Sequence, residues 1–118
     1  MTLTVIEYPK CTTCRKAVKW LQEENIDFEK VHIVEQTPSF EQLKAMYEAS
    51  GLPLKKFFNT SGNKYKELGL KDKLATMTEE EQLTLLASEG MLIKRPIVTD
   101  GKKVTLGFKE VDFENNWK

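Results

Sequence analysis

The opening of the chain has a strand–helix–strand pattern, which constrains the fold of this 118-residue protein more than any other sequence feature. Residues 3–8 are rich in β-branched side chains and end at Pro9, which predicts a strand. Apolar residues recur at three- and four-residue spacing over 12–25, as in an amphipathic helix, and 28–34 is predicted to be a second strand. Because a crossover helix joins the two strands, we expect them to be parallel and the connection to be right-handed.

Residues 38–91 predict a helical insertion. Ser39 with Gln42 and Thr78 with Glu81 have the spacing of capping boxes, which mark the starts of two helices. Shorter helical pieces are predicted at 54–58, 65–68 and 71–75.

The end of the chain predicts a hairpin followed by a helix. Asp100-Gly101 lies between two short β-branched runs, 97–99 and 104–106, and this dipeptide is typical of a tight hairpin turn. Residues 110–117 are predicted to form a terminal helix. The whole pattern indicates an α/β protein with a thioredoxin-like βαβ–(helical insertion)–ββα arrangement and a mixed four-stranded sheet. We expect residues 1–118 to form a single domain.

The amino-acid composition excludes several classes of protein. The chain is 40% hydrophobic and 31% charged, which is typical of folded proteins and not of disordered ones. Its 18 basic and 18 acidic residues balance, which argues against nucleic-acid binding through bulk charge. No apolar run approaches the roughly 18 residues of a membrane span, and the first residues do not have the pattern of a signal peptide. We therefore expect a cytoplasmic protein that contacts neither membrane nor nucleic acid directly.

Two cysteines stand at the predicted junction of the first strand and the first helix. Cys11 falls at the helix N-cap and Cys14 one turn later, so their Cβ atoms should lie about 5–6 Å apart, close enough for a disulfide after small movements. Unpaired backbone N–H groups and the helix dipole should lower the pKa of Cys11, with Lys10, Arg15 and Lys16 adding positive charge. We predict that Cys11 is the nucleophile and Cys14 the resolving thiol.

Two other interpretations of the cysteine pair involve no redox chemistry. Cysteine is often a small buried hydrophobic residue, and a Cys pair can supply half of a zinc site that a second chain completes. Two cysteines and His32 are too few for a four-ligand zinc site in one chain, so we predict no metal. His32 itself is interpreted as a structural or surface residue. A pair that follows a strand and opens a helix favours redox chemistry.

Three stretches of the sequence resemble the Spx regulators and the related ArsC-type arsenate reductases. They are distributed over nearly the whole chain: Cys-Thr-Thr-Cys-Arg-Lys-Ala at 11–17 followed by Trp20-Leu21, then 65–70 and 92–97. The resemblance implies a thioredoxin-like core that carries a helical insertion. It also implies that Arg95 contacts an anion and that Pro96 is a cis-proline that supports the reactive thiol.

The sequence departs from the arsenate-reductase pattern around the first cysteine. Pro9, Cys11, Thr13 and Arg15 match that pattern, whereas Glu7, Tyr8, Thr12 and Cys14 replace its His, Asn, Gly and Ser. Of the three arginines that bind the oxyanion in those enzymes, Arg95 matches, and Lys109 lies near the position of another. A lysine lacks the bidentate fork of arginine, so we expect little arsenate reduction. The resemblance makes Thr13, Arg15 and Arg95 the predicted substrate- or anion-binding residues.

We therefore predict a thiol–disulfide redox protein in which Cys11 attacks a disulfide or an oxidised thiol and Cys14 resolves the mixed disulfide. It should need no metal or organic cofactor, and glutathione or a thioredoxin-type protein would serve as reductant. The resemblance to Spx implies an alternative, a redox-sensing regulator that binds the RNA polymerase α-subunit, although Spx proteins carry a basic C-terminal extension beyond the position of Lys118. Glutathione-dependent arsenate reduction is a third alternative.

Overall fold

Strands occur near both ends of the chain, and helices dominate the middle. The computed structural model describes residues 2–118. In chain order the elements are β1 (Leu3–Glu7), α1 (Thr12–Glu23), β2 (Phe28–His32), α2 (Phe40–Ser50), α3 (Asn63–Glu67), α4 (Leu70–Lys73), α5 (Glu79–Ser88), β3 (Ile97–Thr99), β4 (Val104–Leu106) and α6 (Glu110–Trp117). Short 3-10 helices lie at Leu54–Phe57, Leu74–Thr76 and Gly90–Leu92.

The four strands form one mixed sheet in the order β2–β1–β3–β4. β1 is parallel to β2, with Leu3 opposite Phe28, and antiparallel to β3, with Ile6 opposite Ile97. β3 and β4 are the two strands of an antiparallel hairpin. This topology confirms the predicted α/β class, with a βαβ unit and a ββα unit that flank a helical insertion.

Each face of the sheet has its own apolar core. Leu3 and Val5 pack against α1 and α6, in a cluster completed by Ala17, Trp20, Leu21, Val98, Phe113 and Trp117. Ile6 projects to the opposite face, as strand alternation requires, and packs with the insertion in a cluster that includes Leu43, Phe57, Leu86, Leu92 and Ile97. The insertion therefore covers one face, and the β1–α1 junction that carries the two cysteines belongs to the other.

Both predicted capping boxes are present. The Ser39 hydroxyl accepts a hydrogen bond from the Gln42 amide at 3.2 Å, and the Gln42 side chain accepts one from the Ser39 amide at 2.9 Å. Thr78 and Glu81 make the same reciprocal pair at the start of α5. These bonds satisfy backbone donors that the first turn of a helix leaves free.

Two predicted elements, the second strand and the first helix, end two residues earlier than expected. The second strand stops at His32 and not at residue 34, because the His32 Nδ1 accepts hydrogen bonds from the amides of Val34 and Glu35 and turns the chain. The first helix stops at Glu23 and not at residue 25, since Asn25 adopts a left-handed conformation with φ of 57°.

Main-chain hydrogen bonds join the middle of the insertion to the segment that leads from its end to β3. The Lys94 amide donates to the Phe57 carbonyl at 2.7 Å, and the Asn59 amide donates to the Leu92 carbonyl at 2.7 Å.

Within residues 2–118, no helix combines the length and apolar character that crossing a bilayer requires.

Candidate active site

Cys11 is the N-cap residue of α1. Its backbone is extended, with φ of −88° and ψ of 119°, and its Sγ accepts a hydrogen bond from the Cys14 amide at 3.4 Å. Its own amide donates to the Tyr8 carbonyl at 2.9 Å, which holds the turn between β1 and α1. The sulfur thus occupies the position where a helix offers unpaired N–H groups and its positive dipole end, and it is partly exposed.

Cys14 lies one turn further along α1 and is 1% exposed. Both cysteines are free thiols in the structure. Burial raises the pKa of Cys14 to about 12, and the neighbouring Cys11 sulfur and the Glu7 carboxylate act in the same direction. The Cys14 thiol is consequently a poor nucleophile until it loses its proton.

Opposing influences act on the pKa of Cys11, and the net effect is a lowered value. Partial burial is the largest single influence and raises the pKa. The Cys14 thiol and amide, together with the positive charge of Arg95, lower it by more in total. The pKa of Cys11 is thus lowered, in the predicted direction, whereas that of Cys14 is raised.

Arg95 is the cation that the fold brings to Cys11. It immediately precedes Pro96, and the Arg95–Pro96 peptide bond is cis, as the family resemblance implied. The Cζ of Arg95 lies 5.2 Å from the centroid of the Tyr8 ring, a cation–π distance. Its Nε and Nη1 are buried and have no hydrogen-bond partner within the described part of the chain. A guanidinium in this state can offer those donors to an anion that reaches Cys11.

His32 and Tyr8 support the position of Arg95. The two rings make an edge-to-face contact with centroids 5.8 Å apart. The His32 Nδ1 accepts hydrogen bonds from two backbone amides, so the imidazole stabilises a local turn. The structure is consistent with the structural interpretation of this histidine.

Thr13 and Arg15 occupy the solvent-facing side of the first turn of α1, and both are exposed. The Arg15 Nε donates to the Pro9 carbonyl at 3.0 Å, so this side chain lies along the loop that precedes Cys11. The structure thus brings Cys11, Cys14 and Arg95 together and leaves Thr13 and Arg15 at the edge of the site. Their predicted role in binding an anion stays a prediction.

The polar loop before α3 forms a wall beside Arg95. Asn59, Ser61 and Asn63 line a cleft of about 390 Å³ together with Arg95. Lys109, which lies near the position of a family arginine, lines a different cleft with Lys94. Within residues 2–118, no three His, Cys, Asp or Glu side chains are grouped so that they could hold a metal ion.

Glu7 is a site residue that the sequence reasoning noted only as a departure from the arsenate-reductase pattern. It is the last residue of β1 and is 8% exposed, which is unusual for a carboxylate. Strand alternation could have located it, because Leu3, Val5 and Glu7 share the face that packs against α1. It lines a cavity of about 250 Å³ together with Cys14.

Comparison with known proteins gives a consistent result. The model of the ArsC family matches residues 6–116. The protein YusI of Bacillus subtilis is 67% identical over 117 residues, which cover 99% of each chain. The regulatory protein MgsR of the same organism is 35% identical over 90% of this chain and 82% of its own length.

A solved structure extends the similarity to three dimensions. The crystal structure of an ArsC family related protein from Bacteroides fragilis has a TM-score of 0.94 and 53% identity, and the match covers 98% of this chain and 97% of that one. Because the family model spans nearly the whole sequence and a close relative has the same fold, this chain belongs to the ArsC family.

Proposed function

We propose that this protein is a thiol–disulfide redox protein of the cytoplasm, with Cys11 as nucleophile and Cys14 as resolving thiol. The observation that carries the proposal is the hydrogen bond from the Cys14 amide to the Cys11 Sγ at the start of α1. It supports a thiolate on the accessible sulfur, since a thiolate is the attacking species in disulfide exchange. Cys14, the residue that donates this hydrogen bond, also carries the second thiol.

The reaction would proceed in two exchange steps. The Cys11 thiolate attacks one sulfur of a substrate disulfide, which breaks the S–S bond, releases one half as a thiolate and leaves the other half bound to Cys11 as a mixed disulfide. Cys14 loses its proton and attacks the Cys11 sulfur, which forms the Cys11–Cys14 disulfide and releases the second half. The substrate gains two electrons, and the two cysteines lose them. Glutathione or a thioredoxin-type dithiol returns the protein to its dithiol form.

Arg95 would orient the substrate in the first step. Its buried Nε and Nη1 donors lack partners in the described chain, and they lie at the site of the reactive thiol. A carboxylate near the substrate disulfide, such as those of glutathione, would satisfy them. Because Lys109 lines another cleft, one arginine stands where arsenate reductases use three, and we expect little turnover of arsenate.

The test is to trap the mixed disulfide. Cys14→Ser should accumulate protein that is disulfide-linked to substrate through Cys11, because the second exchange is blocked. Cys11→Ser should trap none, because Cys14 is buried and holds its proton. Mass spectrometry after acid quenching measures both species. Full reductase activity in both single variants would contradict the proposal.

A second function, redox-sensing regulation through a partner protein, is favoured by the 35% identity to the regulatory protein MgsR. The family resemblance makes the RNA polymerase α-subunit the partner to test. Binding of this subunit should be compared for the dithiol protein, the oxidised protein and Cys11→Ser, which cannot form the disulfide. Redox-dependent binding without turnover of a model disulfide would favour the regulator, whereas turnover without binding would favour the redox protein.

A further inference from the structure

Glu7 is a mostly buried residue that shares a cavity with Cys14. It lies at the end of β1 on the face covered by α1, and only 8% of its surface is exposed. Together with Cys14 it lines a cavity of about 250 Å³. Within residues 2–118 its carboxylate makes no hydrogen bond and has no ion-pair partner within 4.0 Å. A carboxylate residue this little exposed is uncommon in proteins, so its position beside a thiol calls for a functional explanation.

The proposed reaction contains a step for which no residue has yet been assigned. Cys14 must lose its proton before it can attack the mixed disulfide, and its pKa is raised to about 12. Burial is the main cause of that raised pKa and persists when Cys11 is bound to substrate, so few Cys14 side chains would be thiolates at neutral pH. A proton acceptor within reach, directly or through one water, would allow the thiol to be activated as it attacks.

We propose that Glu7 is the proton acceptor for Cys14 in the resolving step. The inference rests on the proposed function. The Glu7 carboxylate takes the Cys14 proton, directly or through a water in the shared cavity, while the Cys14 sulfur bonds to the Cys11 sulfur. The bond between Cys11 and the substrate sulfur breaks, and its electron pair leaves with the substrate thiolate. Protonated Glu7 then returns its proton to the departing thiolate or to solvent.

The surroundings of the cavity suit this role. Arg15 and Lys19 from α1 and Lys30 from β2 line the cavity that contains the carboxylate. His32 of β2 lies opposite Glu7 in the strand register, with its Nδ1 committed to backbone amides. No ion pair ties Glu7 to any of these groups, so its oxygens remain free to accept a proton.

A purely electrostatic role for Glu7 predicts the opposite result. The negative charge of Glu7 contributes to the raised pKa of Cys14. If that were its only effect, neutralising Glu7 would make Cys14 more acidic and the resolving step faster. If Glu7 accepts the proton, the same substitution makes the resolving step slower. The sign of the change separates the two roles.

The experiment follows a single turnover with glutathione disulfide as the probe. Reduced protein is mixed with the disulfide and quenched in acid, and mass spectrometry resolves the glutathionylated and the intramolecular disulfide forms. The variants are Glu7→Gln, which removes the charge at constant shape, and Glu7→Asp, which keeps a carboxylate. Glu29→Gln is the matched control, because Glu29 is an exposed glutamate of the neighbouring strand β2.

Glu7→Gln should form the mixed disulfide within about twofold of the wild-type rate and resolve it about 100-fold more slowly at pH 7, the lower end of general-base effects. Its resolving rate should rise about tenfold per pH unit, because solvent base must then remove the proton. Glu7→Asp should recover part of the rate, and Glu29→Gln should match the wild type. A resolving rate for Glu7→Gln that is unchanged or faster, or equal losses in both steps, would overturn the inference alone. Absence of any mixed disulfide in the wild type would overturn the proposed function as well.

Discussion

The backbone amide of Cys14 donates a hydrogen bond to the Sγ of Cys11 across 3.4 Å. Cys14 therefore stabilises a thiolate on Cys11 through its amide. Its side chain also carries the sulfur that would displace the bound substrate. The arrangement follows from local geometry, since an N-cap side chain accepts from the amides of the first turn. The difference in acidity between the two thiols arises because the same helix turn leaves one sulfur near solvent and buries the other.

The first prediction concerns selective alkylation. At pH 7 iodoacetamide should modify one thiol of the reduced protein, Cys11, because burial and a raised pKa protect Cys14. The alkylation rate should have its inflection below the ordinary thiol pKa of 9.0. In Cys14→Ala the amide remains but the thiol contact is lost, so the inflection should move to higher pH. An inflection in the wild-type protein at 9 would contradict the acidity assigned to Cys11.

The second prediction concerns Arg95. Arg95→Met should raise the pKa of Cys11 and slow its alkylation at pH 7 several-fold, because the nearby positive charge is removed. The variant should be as stable as the wild type or more so. Two buried donors without partners cost about 1–3 kcal/mol each, more than a cation–π contact of about 0.5–2 kcal/mol contributes. Lys109→Met is the control, since Lys109 is exposed and lines a different cleft. A large fall in melting temperature for Arg95→Met alone would refute this account.

The third prediction is a pH dependence of stability. The unfolded chain releases the Cys14 proton near pH 9, whereas the folded protein holds it to about 12. Between these values the native state binds more protons, so the free energy of unfolding of the reduced protein should fall as pH rises. Cys11 acts with the opposite sign: the free energy of unfolding rises with pH between its lowered folded-state pKa and 9, and this stabilisation is then constant above pH 9. The free energy of unfolding of the wild type and of Cys14→Ser, measured by chemical denaturation from pH 8 to 11, isolates the Cys14 contribution. If the two free energies change with pH in parallel, the predicted Cys14 contribution is disproved.

The fourth prediction tests how α6 is attached to the sheet. The indole Nε1 of Trp117 donates to the Thr105 Oγ1 at 3.1 Å in a buried position. Thr105→Val removes the acceptor at nearly constant volume and leaves that donor unpaired, which should cost about 1–3 kcal/mol of unfolding free energy. Thr84→Val, at an exposed site on α5, should cost less than half as much. Urea denaturation followed by tryptophan fluorescence measures both values.

Local sequence patterns were sufficient to predict most of the fold. The capping boxes at Ser39 and Thr78 and the Asp100-Gly101 turn all depend on residues within four positions of one another, and all are present. The early ends of β2 and α1 were not predicted. They depend on the orientation of the His32 imidazole and on the positive φ of Asn25, which no periodicity encodes.

The candidate site was predictable where it is local and not where it depends on tertiary packing. The placement of Cys11 and Cys14 follows from a strand that meets a helix. The stacking of Arg95 on Tyr8 joins residues far apart in the sequence, so only the family resemblance placed it in the site. Glu7 remained unassigned because a glutamate at the end of a strand is ordinarily solvated, and its burial results from the seating of α1 on β1.

The main-chain hydrogen bonds that join Phe57 to Lys94 and Asn59 to Leu92 connect the helical insertion to the segment that carries Arg95. Arg95 follows directly after these bonds, so a displacement of the helical insertion that moved them would also move the guanidinium that lowers the pKa of Cys11. A protein that bound the insertion and shifted these bonds would change how readily the Cys11 thiol is oxidised. Because coupled equilibria are reciprocal, oxidation would change the affinity for that protein by the same factor.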